Sequence, residues 1–164
     1  MSKRINLSRG LTTVVDDEDF DFLSQWKWFA HIDGGTGAPY AKRQVWCGTK
    51  EQRGVLMHCQ LVGLSGVDHI NGDTLDNRKC NLRPATRSQN AMNSSKGKRR
   101  NTSSRFKGVS KKATRWIAQI TVDKKRKQIG SFSTEEEAAR AYDRHAKNHY
   151  KDFARLNFPD EAKP

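Results

Sequence analysis

Apolar positions between residues 5 and 50 come in short runs, LTTVV at 11–15 and YAKRQVW at 40–46, separated by the Gly/Pro turn cluster DGGTGAP. Short runs rich in β-branched and aromatic residues and bounded by turn formers predict β-strands. VLMHCQLVGL at 55–64 is apolar enough to be buried, and over so few residues its spacing suits a short helix or a strand equally. In VDHINGDTLDNRKCNLRPATRSQN at 67–90, Val67 to Ile70 predicts a strand and NGDTLDNRK a tight turn. Asn81 to Arg83 predicts the returning strand, and Thr86 followed by Gln89 is a capping box that starts a helix near residue 87. Asp68 and His69 point to opposite faces of a regular strand. A bulge or other departure is therefore expected if both serve one site.

The pattern changes after SSKGKRRNTSSR at 94–105, which is polar, basic and reads as a linker. FKGVS, RWIAQITV and KQIGSF are three β-prone runs, with the charged turn DKKRK between the second and third. SFSTEEEAARAYDRHAKNHYKDF then predicts a helix, started by a capping box of Ser133 with Glu136 and by acidic residues 135–137 at its positive end. Ala138, Tyr142, His145/Ala146 and His149 recur at helical spacing and are expected to form one face. Three strands followed by one amphipathic helix make a compact α+β module.

Composition narrows the class. Of 164 residues 34% are hydrophobic, so a single large core is not expected. No apolar run approaches the roughly 20 residues of a membrane helix. MSKRINLSRG has no apolar stretch behind its basic residues, so a secretory signal is not expected and a cytoplasmic location is. Cys47, Cys59 and Cys80 are odd in number and widely spaced, which suits reduced thiols. With His58 and His69 they form no CxxC pair, so a structural zinc site is not expected.

The net charge of +13 is unevenly spread. Residues 1–50 carry 7 Lys/Arg against 6 Asp/Glu, residues 51–95 carry 5 against 4, and residues 96–164 carry 19 against 8. The last third is thus the part expected to meet a polyanion, nucleic acid first, because neutralising phosphates releases condensed counterions. A merely solubilising surface is the other reading.

The stretch 67–90 resembles the HNH (ββα-metal) nuclease motif, in the variant ending with Asn found in phage and intron-encoded homing endonucleases. The marks are DHI, NL twelve residues after the His, and SQN. The resemblance implies that His69 is the general base taking a proton from the attacking water. It implies that Asp68 and Asn90 hold one divalent metal ion, Mg²⁺ before Mn²⁺, against the scissile phosphate, and that Asn81 ties the loop that orients His69. One carboxylate and one amide oxygen suit a hard cation that keeps several waters. His58, in LMHCQLV, occupies a recurrent position of the helix preceding this motif. Its alternatives are a packed structural His or a phosphate contact. The first 55 residues resemble the leader of HNH proteins of this arrangement, with Trp26 and Trp28 in the core and Lys42 and Arg43 able to touch DNA backbone.

Residues 104–158 resemble the APETALA2/ethylene-response-factor DNA-binding domain, through KGV, RWIAQI, IGSF, EEAARAYD and the closing LNFP. The resemblance implies a three-stranded antiparallel sheet, packed on one helix, that enters the major groove of double-stranded DNA. The matching DNA-facing positions are Lys107, Ser110, Lys112, Gln119, Thr121, Arg126 and Gln128. Arg115, Lys111, Lys124, Lys125 and Lys127 can bind phosphate. Several of these positions hold Arg, Glu or Trp in the plant domains, so the plant target sequence is not implied. Trp116 is expected to pack under the helix with Tyr142.

Together these readings predict an α+β protein with strands and an HNH domain over 1–95, a basic linker at 96–103, the DNA-binding module at 104–158 and a tail at 159–164. The function they imply is a metal-dependent DNA endonuclease of nicking or homing type, monomeric, of a phage, virus or mobile element. A catalytically inactive DNA-binding regulator and an RNA-acting nuclease are the alternatives.

Overall fold

The computed structural model describes residues 1–48, 51–96 and 102–162 and forms two compact units, Met1–Asn90 and Ala91–Pro164. Residues 97–101 of the expected linker and the last two of the tail lie outside the described residues. Both units mix helices with antiparallel sheets. Among the described residues no helix is long and apolar enough to cross a membrane.

In the first unit β1 (Ser2–Asn6) pairs antiparallel with β2 (Thr12–Asp16), and α1 (Asp17–Ser24) follows directly. Asp17, Glu18 and Asp19 fill the first turn of α1, where the helix dipole favours negative charge. β3 (Phe29–Ile32), β4 (Pro39–Trp46) and β5 (Gln52–Leu56) form a three-stranded antiparallel sheet with β4 in the middle. The apolar run at 55–64 is both things its spacing allowed. Leu56 is extended and ends β5, Met57 begins α2 (Met57–Val62), and Gly63 at φ +73° closes that helix. The core gathers Leu7, Val15, Leu23, Trp28, Ala30, Ala41 and Met57. Trp28 is buried, its indole N–H donating to the Leu23 carbonyl at 2.9 Å, while Trp26 packs partly buried against the cluster. The Arg43 guanidinium lies over the Trp26 ring at 4.2 Å and its Nε donates to Gln60 Oε1 at 2.9 Å.

β6 (Val67–His69) and β7 (Leu82–Pro84) form an antiparallel hairpin, followed by α3 (Arg87–Asn93). Ile70 and Asn81 lie outside the ladder, Asn81 ending a 3-10 turn before β7. Thr86 and Gln89 bond reciprocally at the start of α3, as their spacing predicts. Pairing is regular, with Asp68 opposite Arg83 and His69 opposite Leu82. The expected bulge is absent, so Asp68 and His69 face opposite sides of β6.

In the second unit β8 (Val109–Lys112), β9 (Arg115–Val122) and β10 (Lys125–Phe132) form an antiparallel sheet with β9 central, and α4 (Glu135–Tyr150) packs on it. Val109, Trp116 and Ala118 meet Ala138, Ala139 and Ala141, the small residues letting helix and sheet approach closely. Ile120 and Val122 meet Tyr142, Ala146 and Tyr150 in an adjoining cluster. Trp116 is therefore under the helix, but among the alanines, and Tyr142 belongs to the neighbouring cluster. A register shift between Gln128 and Gly130 lets Ile129 turn inward to both clusters.

Two details of the helix differ from the sequence reading. The capping box is one residue later: Thr134 is extended and its hydroxyl accepts from the Glu137 N–H, while Ser133 donates to the Glu137 carboxylate at 2.9 Å. The buried face ends in Tyr150, whose hydroxyl donates to the Thr121 carbonyl, whereas His145 and His149 are exposed and stack on each other. Asp143, buried on that face, accepts from the Asn157 and Phe158 N–H groups at 2.9 Å and clamps the LNFP segment to the helix.

Candidate functional site

The loop between β6 and β7 is short of apolar residues and holds its shape by side chains bonding to backbone. Asn71 Oδ1 accepts from Asp73 N–H at 2.7 Å and Asp73 Oδ1 from Leu75 N–H at 3.0 Å. Asn81 Oδ1 accepts from the Asn71 N–H at 2.9 Å, its Nδ2 donates to the Asp76 carbonyl at 2.8 Å, and its own carbonyl accepts from Ile70 N–H. One side chain thus crosses the loop and closes it immediately after His69. Asp76 takes Arg78 Nε and Nη2, both at 2.7 Å, and the Arg78 guanidinium holds its carboxyl below the usual carboxylate range. The far end is fastened to β2, with Val14 N–H donating to the Leu75 carbonyl and Asn77 N–H to the Val14 carbonyl.

His69 is 5% exposed, and its Nε2 lies 3.2 Å from Asn77 Oδ1. The His58 ring meets it edge to face at 4.8 Å, and Tyr40 lies 5.6 Å from His58 and 6.2 Å from His69. Burial lowers the His69 pKa, opposed by the Asn77 hydrogen bond and by Asp68, Asp73 and Asp76. Burial and then His69 push His58 down to about 3. Both imidazoles are neutral at physiological pH, the state in which a histidine can accept a proton. His58 packs directly on the site histidine, beyond what its sequence position revealed. Asn77, fully buried, carried no separate signal within a turn-rich stretch.

Asp68, on the other side of the strand, is buried, and its Oδ2 accepts from Arg83 Nε at 2.9 Å and Nη2 at 2.7 Å. Asn90 lies in α3 and is exposed, its N–H donating to the Thr86 carbonyl. Among the described residues no cluster of three or more His, Cys, Asp or Glu could hold a metal ion. What the chain provides is one carboxylate and one amide, hard oxygen donors that suit a cation keeping most of its waters. A cation held at Asp68 would share that carboxylate with the Arg83 guanidinium.

In the second unit the register sorts the basic residues by face. Ser110, Lys112, Arg115, Gln119, Thr121, Arg126 and Gln128 fall on the side away from α4, since Trp116, Ala118 and Ile120 alternate with them and pack on the helix. Gln119 faces Gln128 and Thr121 faces Arg126 across the ladder. Arg115 bends to Ser131, Nη2 donating to its carbonyl at 3.0 Å. Lys111 is not on this face: it pairs with Trp116, and its ammonium lies 5.5 Å from that ring. Lys125 and Lys127 likewise alternate to the helix side, whereas Lys124 sits in the turn. Lys107 is not on the sheet at all. Its ammonium donates to the carbonyls of Ala91, Met92 and Ser94, ending a helix as a cationic cap.

Residues 65–92 match the family model described as HNH endonuclease. The chain is 37% identical over 92 residues to an uncharacterized HNH endonuclease of Acanthamoeba polyphaga mimivirus, covering 56% of this chain and 46% of that protein. It is 39% identical over 79 residues to the dehydration-responsive element-binding protein 2A of Arabidopsis thaliana, covering 46% of this chain and 24% of the plant protein. A second plant protein, dehydration-responsive element-binding protein 2E, is 39% identical over 77 residues. The chain spans between a quarter and a half of the length of these relatives. The likeness is thus to the HNH endonuclease family over residues 65–92 and, in part, to the plant element-binding proteins.

Proposed function

We propose that this protein is a DNA endonuclease that hydrolyses phosphodiester bonds at His69, assisted by one divalent cation, and that its C-terminal sheet directs it to DNA. The observation that carries the reading is His69: a buried, neutral imidazole set on a strand, loop, strand and helix whose residues match the HNH endonuclease family model. In this reading His69 takes the proton of the attacking water, and Asn81 closes the loop that fixes the ring. Asp68 and Asn90 would hold the cation, Mg²⁺ or Mn²⁺; since Asp68 faces the other side of β6, the phosphodiester would have to reach both Asp68 and His69 around the end of that strand, which falls at His69. When bound, such an ion polarises the phosphate and offsets charge on the leaving oxygen. One site per chain suits nicking by a monomer.

A site that handles the phosphodiester backbone reads few bases, so preference for sequence must come from elsewhere. The face bearing Lys112, Arg126, Gln119, Thr121 and Gln128 has the chemistry for it: cations for phosphate, and amides and a hydroxyl for base edges. The strongly basic last third supports DNA as the partner.

The test is a supercoiled plasmid library with random inserts, incubated with the protein and Mg²⁺ or Mn²⁺, beside EDTA and a His69→Ala variant. Conversion to open-circle or linear DNA, lost in both controls, is the expected result. Intact plasmid with equal binding by wild type and variant would make the protein a DNA-binding regulator instead. Stronger competition by RNA than by duplex DNA would reassign the substrate.

A further inference from the structure

Thr13 lies in β2, far along the chain from the site, and is fully buried. Its hydroxyl Oγ1 donates to the Leu75 carbonyl at 2.7 Å, and the same oxygen is 2.7 Å from Asn77 Nδ2. Asn77 in turn places Oδ1 3.2 Å from His69 Nε2. The direction of every bond in this chain follows from its first member. A carbonyl can only accept, so the Thr13 hydrogen goes to Leu75 and the Thr13 lone pairs are left to accept from Asn77. Reversing the amide would take that hydrogen away from Leu75 and leave two oxygens 2.7 Å apart with no proton between them. Asn77 must therefore turn its NH₂ to Thr13 and its oxygen to His69. Facing an acceptor, Nε2 of a neutral His69 carries the proton, and the basic lone pair is on Nδ1.

We infer that Thr13 and Asn77 are positioning residues that fix His69 as its Nε2–H tautomer and so make Nδ1 the nitrogen that accepts the proton of water. The catalytic part of this inference rests on the nuclease reading; the tautomer does not. The relay also explains why β2 is stitched to the loop by Val14 and Asn77 backbone bonds: they hold Thr13 in register with the site. Neither residue reaches the reacting atoms. They act through the imidazole, as an orienting partner does on a catalytic histidine.

The experiment is a long-range proton–nitrogen correlation spectrum of the full-length protein, labelled at histidine nitrogens, without metal and at neutral pH. Wild type is expected to show His69 protonated at Nε2. Thr13→Val, which keeps the shape and removes the hydroxyl, is expected to give mixed tautomers, and Thr13→Ser to restore the wild-type signal. Cleavage by Thr13→Val should fall about tenfold to a hundredfold, the range typical of partners that orient a site histidine, with KM unchanged and most of kcat recovered in Thr13→Ser. A wild-type His69 protonated at Nδ1 would overturn the inference without recourse to any variant. So would a Thr13→Val protein whose His69 signal is unaltered. If the tautomers behave as expected but wild type cuts no DNA, the relay stands and the nuclease reading fails.

Discussion

The imidazoles of His58 and His69 meet edge to face with ring centroids 4.8 Å apart, both buried and both flanked by Tyr40. Burial first, and the neighbouring His69 second, depress His58 to about 3 from its usual 6.5. Below pH 6.5 the unfolded chain gains a proton there that the folded chain refuses, so stability falls with pH until about 3 and is level below it. At pH 5 this one group should cost about 2 kcal/mol. Denaturant melts of wild type and His58→Phe at pH 7 and pH 5 should show the variant losing that much less.

Arg83 and Asp68 form a cross-strand ion pair at 2.7 Å, with only 15% and 4% of their side chains exposed. Arg83→Met removes the guanidinium from a buried carboxylate and should destabilise the protein by about 3 kcal/mol. Pairing it with Asp68→Leu should recover most of the loss, since an apolar pair replaces the ionic one. On the proposal that Asp68 holds the cation, Mn²⁺ should raise the Tm of Arg83→Met more than that of wild type, because the guanidinium would no longer compete for that carboxylate.

Gly108 sits at φ +73°, and a Cβ there would lie 2.0 Å from Tyr142 Cδ2 and 2.8 Å from the Gln119 carbonyl oxygen. Tyr142 is 3% exposed and has nowhere to retreat. Gly108→Ala should therefore cost about 3 kcal/mol or more, combining backbone strain with overpacking. Gly37→Ala, at φ +74° with open space around it, should cost only about 1 kcal/mol. Thermal melts of the two variants separate these contributions.

Local chemistry was readable where it is local. The turn residues of NGDTLDNRK, the Thr86–Gln89 cap and the alternation in RWIAQITV all correspond to what forms, because each depends on neighbours within a few positions. The capping box of α4 falls one residue beyond Ser133 because Ser133, Thr134, Glu136 and Glu137 give two equally good spacings, and only the backbone at Thr134 chooses. His149 and Tyr150 compete similarly for the last turn, and burial in the cluster with Ile120, Tyr142 and Ala146 selects the tyrosine. Asn77 was illegible for a different reason. Its significance depends on Thr13, which comes beside it only when β2 docks on the loop. Lys107 and Lys111 look like any other cations in a basic module until three carbonyls and an indole claim them.

That sorting of cations has a measurable consequence for DNA binding. Each phosphate neutralised releases counterions and adds about 0.9 to the slope of log K against log salt. Lys112 and Arg126 stand on the face away from α4, so Lys112→Gln and Arg126→Gln should each lower that slope by about 1. Lys107 spends its charge on the carbonyls of Ala91, Met92 and Ser94, so Lys107→Met should lower stability and leave the slope alone. Deleting residues 101–164 should weaken binding and flatten its salt dependence together. Binding isotherms at several salt concentrations measure all four. If Lys107→Met lowers the slope as much as Arg126→Gln does, the contact surface lies on the side of Lys107, and the face bearing Gln119, Thr121 and Gln128 is not the one that reads DNA.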